Sequence, residues 1–387
     1  MSFHSSSKKK RVETKHYPVI IVGAGAAGLF AGSILGRKAL VLEKGAMAGR
    51  KLKLTGGGKC NYTHSSEPSG LLSHYKQDKR YIRDVIYALP PKRIIEYFKN
   101  LSIEPHIEEN GKVFPKSMNA EDVVSALEAR CTIEYVCEVF SVEKKDRFLI
   151  RTSKGIYTSD KLLIATGGIA YPHTGSDGKG YEIARSFGHN VISPTPALAP
   201  LKLDFPLSQA EGITLTLMAK IGKKTATDSA VITKKGISGP LAENISYLFP
   251  EKRDITLSFL DITKEEIRGL NGRSLLRNSL PLPDRLISAL LGPIADKKNA
   301  ELKKDEINII IERLTCLRTQ AIAIKEGAMS THGGVDIMEV DTKTMESKLV
   351  SNLFFAGDVL DVDADCGGYS LTWAFASANA FASAIKL

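Results

Sequence analysis

Residues 17–28, YPVIIVGAGAAG, constrain this chain more than any other stretch. Residues 19–22 form a short apolar, β-branched run that suits a strand buried on both faces. The run leads directly into Gly23-Ala24-Gly25-Ala26-Ala27-Gly28, and residues 29–35 then read as a helix. The three glycines answer separate demands: a tight turn, close approach of a pyrophosphate to the backbone, and close packing of helix on strand. The helix start presents unpaired N–H groups and a partial positive charge, which favour an anion. Residues 39–42 are a second apolar run, ended by Glu43, twenty residues after Gly23. A carboxylate there accepts the hydroxyls of an adenosine ribose and repels a 2′-phosphate. Residues 23–43 therefore predict a site for an ADP-containing dinucleotide.

The loop GRKLKLTGGGKCN at 49–61 follows, with Lys44 just before it. It carries Arg50, Lys51, Lys53 and Lys59 around Gly56, Gly57 and Gly58, so backbone amides and cations are both on offer to phosphate oxygens. Cys60 is either a redox partner of a flavin or, the preferred reading, a small residue packed beside the cofactor. Residues 81–101 read as amphipathic helices broken at Pro90-Pro91, and 103–114 as a hairpin turning at Asn110-Gly111. Asn119 is set to cap a helix over 120–130, with Asp122 reaching back to it. Strands are expected at 133–140, 148–152 and 161–165; the last ends at Ala165 and opens into Thr166-Gly167-Gly168. Tyr171, Pro172, His173 and Thr174 occupy a Gly-rich loop ahead of a helix at 180–187.

SPTPALAP at 193–200 suits a domain crossing. Beyond it come short β-like runs at 213–218, 230–233 and 255–259, then helical patterning over 263–315. Residues 196–321 thus read as an inserted β-plus-helical domain. Residues 349–356 contain a buried strand ending at Gly357-Asp358, and this carboxylate is placed to accept from a polyol such as ribitol. Gly367, Gly368, Tyr369 and Ser370 start a helix through Ala384, whose N-terminus would face a developing anion such as the N1–C2=O edge of a reduced flavin.

The net charge of +10 raises the question of nucleic acid. Lys8, Lys9, Lys10, Arg11 and Lys15 concentrate part of it in residues 1–16, which read as a disordered, solvated tail. The Lys pairs 223-224, 234-235, 297-298 and 303-304 have no interleaved aromatics, so they read as solvated surface and nucleic acid is not the expected partner. No apolar run reaches 18 residues and no signal-peptide core follows the tail. Five cysteines without CxxC spacing argue against a disulfide scaffold or a metal site, and fit a reducing cytoplasm.

These features together resemble the two-dinucleotide-binding-domain flavoproteins. The strings GRKLKLTGGGKCN, GKVFPKSMNAEDVVSAL, ATGGIAYPHTGSDGKGY, PTPALAPL, GISGP, TMESK and FAGDVLDVDADCGGYSLTWAFASA narrow the resemblance. The chain is similar to bacterial NAD(P)/FAD-dependent, aminoacetone-oxidase-like oxidoreductases, and to the flavin reductases of bile-acid dehydroxylation. The resemblance covers nearly all of the chain from Tyr17. It implies FAD as the resident dinucleotide, and an α/β, Rossmann-like FAD-binding domain built from both ends of the chain (17–195 and 322–387) around the insert. It also implies that Gly23, Ala24, Gly25, Ala26, Ala27 and Gly28 hold the pyrophosphate and Glu43 the adenosine ribose. Lys44, Arg50, Lys51, Gly57, Gly58, Lys59, Cys60 and Asn61 would line the FAD, and the backbone of Val139 would meet adenine. Ala165, Thr166 and Gly167 would flank the ADP half, Gly357 and Asp358 the ribityl chain, and Gly368, Tyr369, Leu371 and Thr372 the flavin ring. The chain departs from the family pattern in a short helical part of the insert, in Ala364-Asp365-Cys366 before Gly367, and in His332 ahead of two glycines.

The leading function is an FAD-dependent oxidoreductase that moves a hydride between NAD(P)H or a small organic substrate and flavin N5. With a single glycine fingerprint, NADH or NADPH would bind transiently over the flavin. Tyr171 and His332 are the candidate proton donors. The alternatives are an FAD-binding RNA-modifying or RNA-binding protein and a flavin-linked redox sensor using Cys60.

Overall fold

The computed structural model describes residues 14–385. Strand β1 (Thr14–Val22) runs through Gly23, Ala24 and Gly25 into helix α1 (Ala26–Leu35), and β2 (Ala39–Leu42) returns parallel to β1 with Val19 opposite Ala39 and Val22 opposite Leu42. Val19, Ile20 and Ile21 expose no surface, as a strand covered on both faces must. Gly155–Ile164 pairs with the other edge of β1, and Leu353–Phe355 pairs with that strand in turn, both parallel. Thr132–Glu134 extends the sheet beyond β2. The closing helix, Tyr369–Ala384, buries Trp373, Phe375 and Phe381, and Phe375 lies 4.9 Å from the ring of Phe30 on α1. The fold is α/β: a Rossmann-like domain drawn from both ends of the chain, with an inserted antiparallel β-rich domain.

Packing divides the chain into two compact units, each with its own hydrophobic core. The described part of the first covers 14–194 and 333–385; the second is Thr195–His332. In the second, six antiparallel strands close a barrel in the order Leu201–Leu203, Gly236–Ser238, Lys224–Thr233, Thr214–Ile221, Arg253–Ser258 and Leu317–Ala323. Helices Asp284–Leu291 and Lys304–Thr315 contribute Leu286, Ile287, Ile310 and Leu314 to its core.

Several expectations need correction. The tail expectation for residues 1–13 lies outside the described residues, but Thr14, Lys15 and His16 belong to β1, where they pair with Ile156, Tyr157 and Thr158 of a long neighbouring strand. A boundary at 321 would cut the last barrel strand, which no Gly or Pro interrupts there; the second unit continues to His332. The single strand expected at 133–140 is two, Thr132–Glu134 and Val139–Lys144, separated where Val136 takes a φ of 52°. The 120–130 helix stops at Glu128, and Asn119 Oδ1 accepts from the Glu121 amide with no reciprocal bond from Asp122.

Candidate functional site

The turn between β1 and α1 is built as its glycines require. Gly23 sits at φ +100°, and a Cβ there would lie 2.7 Å from the Ala165 carbonyl oxygen. A Cβ on Gly28 would come within 1.9 Å of the Gly23 carbonyl oxygen, so only glycine lets α1 approach the strand end this closely. Gly25 differs: nothing lies within 4 Å of where its Cβ would be. It caps α1, whose first amides have no intrahelical acceptor. Glu43 braces this turn, accepting from the Ala24 amide at 2.8 Å and the Gly45 amide at 2.7 Å. Each carboxylate oxygen keeps a second lone pair for a ligand hydroxyl.

An open groove of about 690 Å³ follows from this turn. It gathers Gly23, Ala24, Gly25, Glu43, Lys44, Arg50, Lys51, Val139, Ala165 and Thr166 from the expected set. Ser176, Asp177 and Lys179 also line it and were not foreseen, because a polar loop after T-G-G carries no fingerprint of its own. The cations are already engaged. Lys44 donates to Asp177 at 2.6 Å and Arg50 to the His173 carbonyl at 2.5 Å. Burial would raise the carboxyl of Asp177, but Lys44 and backbone amides together hold it below the ordinary range.

Lys51 reaches the other way, to Asp358 at 2.7 Å, with each side chain about one-fifth exposed. Gly357 precedes that aspartate; its amide donates to Ser377 on the closing helix, and its missing Cβ makes room for Ala27 of α1. At the start of that helix, a Cβ on Gly368 would lie 2.7 Å from the Thr63 carbonyl and 2.9 Å from Asn61 Oδ1. The hydroxyls of Thr63 and Thr372 meet at 2.8 Å. Asn61, Gly368 and Thr372 therefore gather around Thr63 in a second cluster that includes Tyr369.

Around Tyr369 lie residues the sequence did not single out. Its ring stacks on His74 at 4.2 Å and 10° and on His64 at 5.1 Å and 25°. Tyr75 donates its hydroxyl to the Tyr369 carbonyl at 2.9 Å. Burial, Asp365 and Cys366 push the Tyr369 phenol up to about 12. Burial lowers His64, which is thereby favoured in its neutral form.

Other expected residues are not among those that line the groove. Gly57, Gly58 and Lys59 are exposed, and neither glycine has an atom within 4 Å of a Cβ position. Cys60 is fully enclosed and burial raises its thiol to about 12, which suits a packing residue and not a reactive thiolate. Ala26, Ala27 and Gly28 form the first turn of α1, Gly167 approaches Ser176, and Leu371 sits in the first turn of the closing helix, half-buried. Tyr171 takes a left-handed φ of 53° in the loop that Arg50 grips at His173. His332 lies in the second unit, its ring 5.6 Å from that of Tyr247.

The first unit fits FAD on three structural counts. Gly25 leaves an open cradle at a helix N-terminus, Lys51 ties the groove to Asp358, and the buried hydroxyls of Thr166 and Ser370 have no partner among the described residues. A family model described as the HI0933-like protein Rossmann domain matches residues 17–384. The chain belongs to this family. HI0933-like proteins are FAD-binding flavoproteins of the oxidoreductase class, as the sequence resemblance implied. The chain is 31% identical to the ribosomal RNA dihydrouridine synthase of Escherichia coli (strain K12), over 95% of this chain and 98% of that protein. It is 32% identical to the protein of the same description from Haemophilus influenzae, over 95% and 98%. It is 28% identical to the 3-dehydro-bile acid delta(4,6)-reductase of Clostridium scindens, over 92% and 96%. Among the described residues no helix is long and apolar enough to cross a membrane.

Proposed function

We propose that this protein is an FAD-dependent reductase that saturates a carbon–carbon double bond conjugated to a carbonyl, with uridine in ribosomal RNA as its substrate. The observation that carries this reading is the end-to-end match, at 31% and 32% identity, to two ribosomal RNA dihydrouridine synthases. Dihydrouridine is uridine with its ring double bond reduced, and the more distant bile-acid relative is also named for the removal of double bonds. The net charge of +10 suits an RNA partner, giving the basic surface a role beyond solvation.

FAD supplies the two-electron chemistry when bound, taking electrons from a transient NADH or NADPH and passing a hydride to the substrate. The chain's residues bind and orient. Gly25 and the α1 N-terminus receive the pyrophosphate, Glu43 the adenosine ribose, and the backbone of Val139 the adenine. Asp358, held by Lys51, receives the ribityl chain, and residues 368–372 the flavin ring. The Tyr171 loop, gripped by Arg50, is assigned to substrate contact.

The test is incubation of the FAD-loaded protein with NADPH or NADH and in-vitro-transcribed ribosomal RNA, followed by mass spectrometry of nuclease fragments. The expected result is the mass gain of two hydrogens at a defined uridine. Unchanged RNA, with reduction of a 4,6-dien-3-one steroid in its place, would transfer the assignment to the bile-acid type of substrate.

A further inference from the structure

The His74–Asp365 pair is a polar arrangement in the first unit that the cofactor assignment leaves unused. His74 ends the short 3-10 helix Leu72–His74, and Asp365 lies in the Ala364-Asp365-Cys366 segment just before Gly367. Asp365 Oδ2 stands 3.0 Å from His74 Nδ1, and Lys76 holds its other oxygen. The backbone reinforces the pair: the Asp365 amide donates to the His74 carbonyl at 2.9 Å, and Tyr75 bridges to Ala364. Gln77 and Asp363 exchange two further hydrogen bonds of 2.8 and 3.0 Å. The imidazole is thus fixed by a carboxylate at Nδ1 and by the Tyr369 ring beneath it. Its side chain remains 37% exposed, and Nε2 has no partner among the described residues.

A carboxylate on Nδ1 orients the ring and leaves its proton chemistry to Nε2. The charged and titratable groups around His74 are Asp365, which Lys76 holds by its other oxygen, and His64 and Tyr369 from the stack. Tyr369 is the first residue of the closing helix, whose N-terminus is assigned to the flavin ring.

We infer that His74 is the proton donor of the reduction, with Asp365 and Tyr369 as its positioning residues. This rests on the functional reading above. In the step, the substrate's β carbon receives the hydride and its α carbon the proton from His74 Nε2. The carbon–carbon π bond breaks, two C–H bonds form, and the neutral imidazole regains its proton from water. The two electrons come from NAD(P)H by way of FAD.

The test uses FAD-loaded full-length protein, first reduced without oxygen and then mixed with either in-vitro-transcribed ribosomal RNA or 2-cyclohexen-1-one, with flavin reoxidation followed by absorbance. His74→Ala is expected to keep its FAD and to reoxidise about 100-fold more slowly, with part of the rate restored by added imidazole. Asp365→Asn is expected to slow reoxidation by about tenfold or more without imidazole rescue. His74→Gln, closer in size, serves if the alanine variant does not fold. Independently of substrate, 15N spectra of the wild type are expected to show the neutral form of His74, the one left after Nε2 gives up its proton, as the Nδ1–H tautomer. A His74→Ala rate within about twofold of wild type, loss without imidazole rescue, or an Nε2–H tautomer would overturn the assignment. If wild type turns over the enone but not the RNA, the RNA reading fails and the dyad is judged on the enone; if it turns over neither, both fail.

Discussion

The two ends of the proposed cofactor region are built in opposite ways. At the Gly23–Glu43 end, strand, turn, helix and carboxylate follow one another within a single βαβ passage. At the Tyr369 end, the structure draws Asn61, Thr63, His64, His74, Asp365 and Gly368 from three distant segments. A contiguous site is held by backbone geometry and tolerates little change in shape. An assembled site is held by pairwise side-chain contacts, so its members can be altered one at a time with the fold intact.

The sharpest test of that difference is Gly28→Ala. Its Cβ would stand 1.9 Å from a carbonyl oxygen that cannot move without pulling the strand end. A loss of about 3 kcal/mol or more in unfolding free energy is expected from urea denaturation, together with loss of bound FAD. A variant of wild-type stability would break the claim that this end is rigidly specified.

Glu43→Gln comes next. It removes a charged acceptor shared by two amides and is expected to cost about 2 kcal/mol, or about thirtyfold in FAD affinity by calorimetry. Unchanged affinity would leave Glu43 a bracing residue only.

Alkaline pH loads both ends at once. Burial raises Cys60, near the assembled end, and Cys131, packed behind α1 at Gly32, to about 12 from 9.0. An unfolded thiol ionises first, so stability is complete below pH 9 and falls progressively between pH 9 and pH 12. Each group is expected to cost about 1 kcal/mol over the first unit above pH 9, read from urea midpoints. A flat profile would contradict the enclosed thiols, as would rapid alkylation of Cys60 in native protein at pH 8.

Ser370→Ala should show the smallest effect on the protein alone. The hydroxyl it removes is buried without a partner, so stability of the FAD-free protein should hold or rise by up to about 1 kcal/mol while FAD binds severalfold more weakly. A clear loss of stability would mean the hydroxyl serves the fold and not the cofactor.

The same contrast explains what could be read from the chain alone. Glycine spacing and a strand-end carboxylate are local, so the strand–turn–helix–strand passage over 19–43 was legible, with α1 starting three residues earlier than expected, and so was the closing helix after Gly368. The breaks at Pro90 and Asn110-Gly111 were legible because proline and Asn-Gly restrict the backbone themselves. His64 and His74 carried no signal, since only tertiary packing brings them to Tyr369. The end of the insert was misplaced because Leu317–Ala323 reads as one uninterrupted strand, and barrel closure decides where it belongs. Three added residues of β1 were hidden by a basic tail whose composition outweighed two strand-compatible side chains, Thr14 and His16.

The central claim is that one dinucleotide spans both ends, its adenosine half at Gly25 and Glu43 and its flavin at the closing helix. Calorimetric titration of the FAD-free protein with FAD and, separately, with FMN tests it most directly. The account predicts a single FAD site per chain and FMN binding at least about 100-fold weaker, since FMN forgoes every contact at the contiguous end. Equal affinities for the two flavins would contradict it.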